Sequence, residues 1–210
     1  MKSEFSGQDA ELIAWRKQKR SELLAWRTSF TGEDRLRAGE MVLDRVYSLL
    51  RSNQTRVAGF YWPFRGEIDV LPLMHRFAAE EGTVALPVVV GRAQPLSFRL
   101  WEPGFRMTTG VFGIPYPAES RTMLPDTLVV PVVGYDHRCY RLGYGGGYYD
   151  RTLAVAEPRP LSIGIGFRSL RLETIMPQQY DLPMDYIVTE SETIRRSVGD
   201  GPDASSAGVS

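Results

Sequence analysis

One stretch of this chain narrows its possible folds more than any other. From Gly134 to Asp150 the sequence reads GYDHRCYRLGYGGGYYD, with five glycines inside 14 residues, between an apolar run, TLVVPVV, and a helical pattern starting at about Tyr148. A glycine-rich turn that leaves a buried strand and enters a helix is where open α/β sheets bind ligands. Gly143, Gly145, Gly146 and Gly147 carry no Cβ, so consecutive backbone N–H groups can converge on phosphate oxygens at a helix N-terminus. Arg141 adds a charged fork to the same loop. Two common nucleotide motifs do not fit. GxxxxGK[ST] needs a Lys-Ser/Thr pair where Tyr148 and Tyr149 stand, and GxGxxG fails because Tyr148 takes the place of its last glycine. One or two glycines would read as a tight turn; four in five positions point to anion binding.

The flanking chain fits an α/β sheet. Residues 9–51 are rich in Leu, Ala, Glu and Arg, lack proline, and are broken at Thr31-Gly32-Glu33-Asp34, which predicts two helices, the first strongly basic from Arg16 to Arg20. RVAGFYW reads as a strand, Ile68–Glu81 as a helix ending at Gly82, and TVALPVVV and PLSFRLW as strands. Pro103 to Pro117 reads as a long ordered loop, a kind that often carries function. LSIGIGF and DYIVT are further strands, and strands alternating with helices predict a largely parallel sheet. No repeat or long linker divides the chain, so residues 1–196 are expected to form one domain; the small and polar residues 197–210 have little to bury and are expected to be disordered.

Composition excludes several function classes. Lys plus Arg and Asp plus Glu both number 25, so no global field favours nucleic acid or an anionic membrane. A single cysteine, Cys139, cannot form an intrachain disulfide, and with two histidines, His75 and His137, no ordinary Cys/His zinc site can be assembled. The first residues lack the order of a signal peptide, and no apolar run approaches the roughly 20 residues that span a bilayer. A cytoplasmic protein, monomeric by default, is the expectation.

RLGYGGGYYDR closely resembles the signature of the 5-formyltetrahydrofolate cyclo-ligase family, and VVPVVGYD, YWPFRGEID, LPVV, GVFGIPYP and DLPMDYIVTE are similar to its other motifs, in the family's order. The resemblance implies a single domain of helices layered around a largely parallel Rossmann-like sheet, with an N-terminal helical pair. It implies ATP-dependent cyclisation of 5-formyltetrahydrofolate to 5,10-methenyltetrahydrofolate, with Mg²⁺, and no nucleic-acid or membrane partner.

Residue by residue, it assigns Arg16, Lys17 and Arg20 to the phosphates, together with Arg141, Leu142, Gly143, Tyr144, Gly145, Gly146, Gly147, Tyr148 and Tyr149. Trp62, Glu67 and Phe112 fall where the family meets the folate, and Tyr148 and Tyr149 where the two ligands meet. Asp150 falls where Mg²⁺ would be held. Arg141, Tyr148 and Tyr149 are the expected catalytic groups. Without the resemblance, Glu67 reads as a surface acid, Phe112 as core, Asp150 as a helix cap and the basic run as a solvated face. Arg16 stands where a lysine is usual, Cys139 where glycine is frequent, and Gly146 where some members carry lysine. Two alternatives remain at this point: a paralogue that binds nucleotide or folate without efficient cyclisation, and a sugar-phosphate isomerase or acyltransferase on a related scaffold.

Overall fold

The computed structural model describes residues 7–197. All but the first residue of the tail expected to be disordered therefore lies outside the described residues. The chain opens with two helices, α1 (Gly7–Ser29) and α2 (Gly32–Ser52), separated where the Thr31-Gly32 break was predicted. In α2 the apolar residues recur every four positions, so Ala38, Val42, Val46 and Leu50 share one face and are buried together. Glu33 and Asp34 sit in its first turn, where the helix dipole favours negative charge.

The remaining elements are β1 (Val57–Gly59), α3 (Leu71–Ala79), β2 (Thr83–Val89), β3 (Leu96–Trp101), β4 (Met107–Thr109), β5 (Pro115–Pro117), β6 (Thr122–Met123), β7 (Thr127–Pro131), β8 (Gly134–Tyr135), β9 (Arg141–Leu142), α4 (Tyr148–Val155), β10 (Leu161–Ile165), β11 (Tyr186–Val188) and β12 (Thr193–Arg195). Eight strands form the main sheet in the order β12-β11-β10-β7-β1-β2-β3-β6. Its middle five, from β11 to β2, are parallel. The other three, at the edges, are joined by antiparallel pairings: β12 to β11, β3 to β2 and β6 to β3. In β7 the consecutive residues Leu128, Val129 and Val130 are all buried, the mark of a strand covered on both faces.

Three differences from the sequence reading have clear causes. RVAGFYW yields only a three-residue strand, because the chain bends out of the sheet after Gly59 on its way to Trp62-Pro63, although the Phe60 N–H still donates to the Ala85 carbonyl at 2.9 Å. The predicted helix from Ile68 begins at Leu71, with Pro72 in its first turn and the Leu71 N–H capped by the Asp69 carboxylate at 3.0 Å. The stretch from Pro103 to Pro117 is not a plain loop but contains the hairpin β4–β5, closed by a short turn of helix at Val111–Gly113.

The strand order fixes where a ligand can enter. From β1 the chain crosses through α3 to β2 on one side, whereas β7 lies on the other side of β1 and leads through α4 to β10. The loops leaving the carboxyl ends of β1 and β7 therefore diverge, opening a crevice between them. Close packing pins β1 there. A Cβ on Gly59 would lie 2.6 Å from Leu128 Cδ2, 2.9 Å from the Phe98 ring and 3.0 Å from the Pro125 ring. Gly59→Ala should therefore destabilise the protein by about 1–3 kcal/mol, read from the urea unfolding midpoint.

Candidate functional site

The crevice between the ends of β1 and β7 is a cleft of about 580 Å³, a size suited to small molecules. Arg16 and Arg20 of α1 form one wall, the glycine-rich loop after β9 forms the next, and the segment from Tyr61 to Glu67 after β1 forms the third. Pro87 to Val89 of β2 and the tip of the β4–β5 hairpin close the far side.

The glycine-rich loop depends on backbone freedom at two points. Gly145 and Gly147 adopt φ of 94° and 63°, which most side chains resist, and Gly147 caps α4. Arg20 lies across this loop, with Nε donating to the Gly143 carbonyl at 2.7 Å and its guanidinium near Gly145. One turn earlier, Arg16 pairs with Asp181 at 2.9 Å, yet its Nε is buried with no hydrogen-bond partner among the described residues. Burial, and then the charge of Arg16, lower the Arg20 pKa. Two crowded guanidiniums, one with an unused donor, make a site that an anion would relieve.

Arg141 is buried and forms a 2.9 Å ion pair with Asp150, and it also donates to the Leu182 carbonyl at 3.2 Å. Asp150 accepts the Leu182 N–H at 3.1 Å, so the two charges are locked together at the start of α4. Behind the loop, Asp136 is 1% exposed and accepts three backbone N–H groups, from Arg138, Tyr140 and Ile175, at 3.0 to 3.1 Å. It shapes the β8–β9 turn from which Arg141 emerges. Cys139, in that turn, has φ of 64°, which explains why glycine suits this position; its thiol is buried and raised to about 12, so it is no nucleophile.

At the other end, Glu67 is 6% exposed. One oxygen accepts the Phe64 N–H at 3.0 Å; the other accepts the Tyr144 hydroxyl at 2.8 Å and stands 3.9 Å from Arg27 Nη2. Burial raises its carboxyl to about 7 against the opposing pull of the Arg27 charge. Trp62 and Phe64 flank it on the cleft wall. Phe112, at the hairpin tip, is 67% exposed with φ of 64°, so it faces the cleft mouth rather than the core. Tyr149 is shielded enough that its hydroxyl is raised well above its ordinary range, by burial and by the nearby Glu67 charge.

Of the site residues predicted from sequence, all line this one cleft except two. Lys17 is exposed and lies off the cleft, because one residue turns the helix by about 100° from Arg16. Leu142 is buried in a small apolar cluster with Tyr140 and Ile175, so only its backbone belongs to the loop. Sequence reasoning missed Arg27, Asp136 and Asp181. For Arg27 a signal existed: the spacing of Arg16, Arg20 and Arg27, four and then seven residues, keeps all three on one side of a helix. For Asp136 and Asp181 the signal was their place in VVPVVGYD and DLPMDYIVTE, two stretches similar to family motifs that by themselves give neither residue a role.

A parallel α/β sheet with a glycine-rich loop and arginines at its switch point, facing a carboxylate and aromatic rings across one cleft, has the layout of an α/β enzyme whose small-molecule site lies at the strand ends. Comparison with known proteins identifies which. Residues 12–190 match the model of the 5-formyltetrahydrofolate cyclo-ligase family, to which the chain therefore belongs. The 5-formyltetrahydrofolate cyclo-ligase of Haemophilus influenzae is 28% identical over 176 residues, covering 80% of this chain and 94% of the relative. That of Escherichia coli K12 is 27% identical over 173 residues, covering 79% and 95%. The NMR structure of Aquifex aeolicus 5,10-methenyltetrahydrofolate synthetase superposes with a TM-score of 0.77 at 29% identity, over 91% of this chain and 98% of that one. The synthetase of Mycoplasma pneumoniae shares the fold, with a TM-score of 0.68 at 19% identity over 83% of this chain and 98% of that one.

Asp136→Ala would strand two buried N–H groups and one half-buried one, and should lower stability by about 3 kcal/mol, read as a fall in the denaturant midpoint without loss of native secondary structure.

Proposed function

We propose that this protein is an ATP-dependent ligase that closes 5-formyltetrahydrofolate to 5,10-methenyltetrahydrofolate, releasing ADP and phosphate. The observation that carries the reading is the single cleft in which the glycine-rich loop and its arginines face Glu67, Trp62 and Phe112. The chemical difficulty is the formyl oxygen, a poor leaving group; ATP supplies the phosphoryl that turns it into a good one, so that N10 can close the ring and phosphate can depart.

The chain's own part is positioning and charge. Arg16, Arg20 and the loop N–H groups hold the phosphates, with the free Arg16 Nε as a ready donor. Arg141 carries a positive charge to the same place, its direction fixed by Asp150. Glu67 accepts paired N–H donors from the pterin, and Trp62 and Phe112 cover the ring faces. Tyr148 and Tyr149 stand between the two halves; the raised pKa of Tyr149 keeps its hydroxyl protonated, able to donate to the reacting oxygen.

Magnesium fits the donors present. The ion takes oxygen ligands and is commonly held by one or two carboxylates plus substrate phosphates. Asp150 lies beside the loop with 20% of its side chain exposed, and Asp181 stands on the same cleft. Among the described residues no cluster of three or more metal-ligating side chains exists, which suits an ion held largely by phosphate oxygens. When bound, Mg²⁺ supplies neutralisation of phosphate charge. Among the described residues no helix is long and apolar enough to cross a membrane. We take the protein to act in the cytoplasm as a monomer, on the grounds of its balanced charge and unpaired Cys139.

The test is the absorbance of the methenyl product as purified protein meets 5-formyltetrahydrofolate and Mg²⁺, with and without ATP. Product should form only with ATP. Asp150→Ala should reduce turnover by at least about a hundredfold, because Arg141 loses its anchor and the phosphates lose a metal ligand. Folded protein that binds ATP but yields no product would instead mark a paralogue that binds without cyclising. The pH dependence has a definite sign. Glu67 titrates near 7, so it is mostly protonated at about pH 6 and mostly ionised at about pH 8, and folate affinity should rise about tenfold between them. Glu67→Gln should flatten that dependence and weaken binding at the higher pH.

A further inference from the structure

Arg27 has no part in the scheme above, yet it is among the most deeply placed charges described, at 2% exposure. It shares a side of α1 with Arg16 and Arg20 but lies behind Glu67 rather than on the cleft wall. Its donors reach three parts of the fold. Nη1 donates to the Val132 carbonyl just past β7 at 3.1 Å, and Nε to the Arg65 carbonyl in the turn after β1 at 3.1 Å. Nη2 donates to the Tyr144 hydroxyl of the glycine-rich loop. That hydroxyl donates in turn to Glu67 at 2.8 Å. Tyr144 is 43% exposed as a residue, yet its hydroxyl is hooked into a buried carboxylate.

The turn bearing Glu67 is held just as firmly. Arg35 donates to the Gly66 and Glu67 carbonyls at 2.9 and 2.8 Å, and Gly66, with φ of 70°, packs so tightly that a Cβ would sit 3.0 Å from the Arg27 carbonyl oxygen. Glu67 is thus a fixed post, while the glycine-rich loop is the partner with backbone freedom.

We infer that Arg27 and Tyr144 are positioning residues that couple the two halves of the cleft, so that folate on Glu67 tightens the hold on Tyr144 and sets the glycine-rich loop for phosphate. This rests on the reading that Glu67 receives the pterin. The physical reason lies in the acceptor. Each carboxylate oxygen has two lone pairs, so pterin N–H groups and the Tyr144 hydroxyl can be accepted together. Pterin donors keep Glu67 anionic, and hydrogen bonds to a charged acceptor are about twice as strong as neutral ones. Arg27 from α1, Tyr144 from the loop, Tyr61 after β1 and Tyr149 from α4 all interact with this carboxylate, and Arg27 is the positive charge among them. A loop pre-set in this way loses less freedom when phosphate binds, and by linkage phosphate must favour folate equally.

Isothermal titration tests this with 5-formyltetrahydrofolate and a non-hydrolysable ATP analogue with Mg²⁺, each alone and with the other saturating. In the wild type each ligand should tighten the other by about 5- to 30-fold. Tyr144→Phe keeps the ring and removes the hydroxyl; with an unchanged unfolding midpoint, its coupling ratio should fall to within about twofold of one. Arg27→Lys keeps the charge without the fork and should also lower the ratio. A wild-type ratio of one, or full coupling retained in both variants, overturns the inference. Glu67→Gln separates it from the reading beneath. If Glu67→Gln leaves folate affinity unchanged, the placement of the pterin fails and the coupling with it. If it weakens folate while Tyr144→Phe retains full coupling, the coupling alone fails.

Discussion

Strand order imposes the central constraint on this molecule. Parallel strands must be joined by crossovers, and here the crossover from β1 turns one way while the one from β7 turns the other. Backbone that leaves the sheet in diverging directions cannot cover the gap between, so a cleft opens there whatever the loops contain. Each side of it inherits a loop from a largely buried strand. The position of the glycine-rich loop against the Trp62–Glu67 segment thus follows from the register that sets Gly59 beside Leu128, and loses its basis if that register slips.

Charges then do at close range what the sheet does at long range. The net charge of the chain is zero, yet Arg16, Arg20, Arg27 and Arg141 gather around one cleft, each tied to a carboxylate, a backbone carbonyl or both. For the buried Arg27 and Arg141 these ties are costly to break, because a stranded buried charge is penalised far more than the pair is rewarded. The result is a set of charged side chains held in place before any ligand arrives, while the backbone of the glycine-rich loop keeps the freedom that Gly145 and Gly147 give it. Phe112 is the exception. Held at left-handed φ on an exposed hairpin tip, it is the most exposed of the large apolar side chains that line the cleft.

How far the chain could be read in advance varied with the range of the interaction. The two N-terminal helices, the buried strands and the start of α4 were legible because periodicity and helix signals are local. The hairpin β4–β5 was not, since its pairing depends on contacts of β5 with β2 and β3 that no local pattern announces. Lys17 and Leu142 show the limits at the level of single residues. A basic run and a motif both name neighbours, but a helix turns and a strand alternates, so adjacent residues part company. Conversely, Asp136 became intelligible only when three N–H groups converged on it from residues up to 39 positions away.

By itself the sequence determined the class of fold, the glycine-rich loop that opens α4 and the family resemblance, because glycine content, apolar periodicity and short ordered motifs are properties of contiguous residues. Only the tertiary structure decided that Glu67 is a buried acid near neutrality rather than a surface one, that Phe112 faces solvent rather than core, and that Arg27 and Tyr144 join the two halves of the cleft. Those outcomes rest on dielectric environment and on approach between segments 38 to 117 residues apart, which arise only once the sheet brings those segments together.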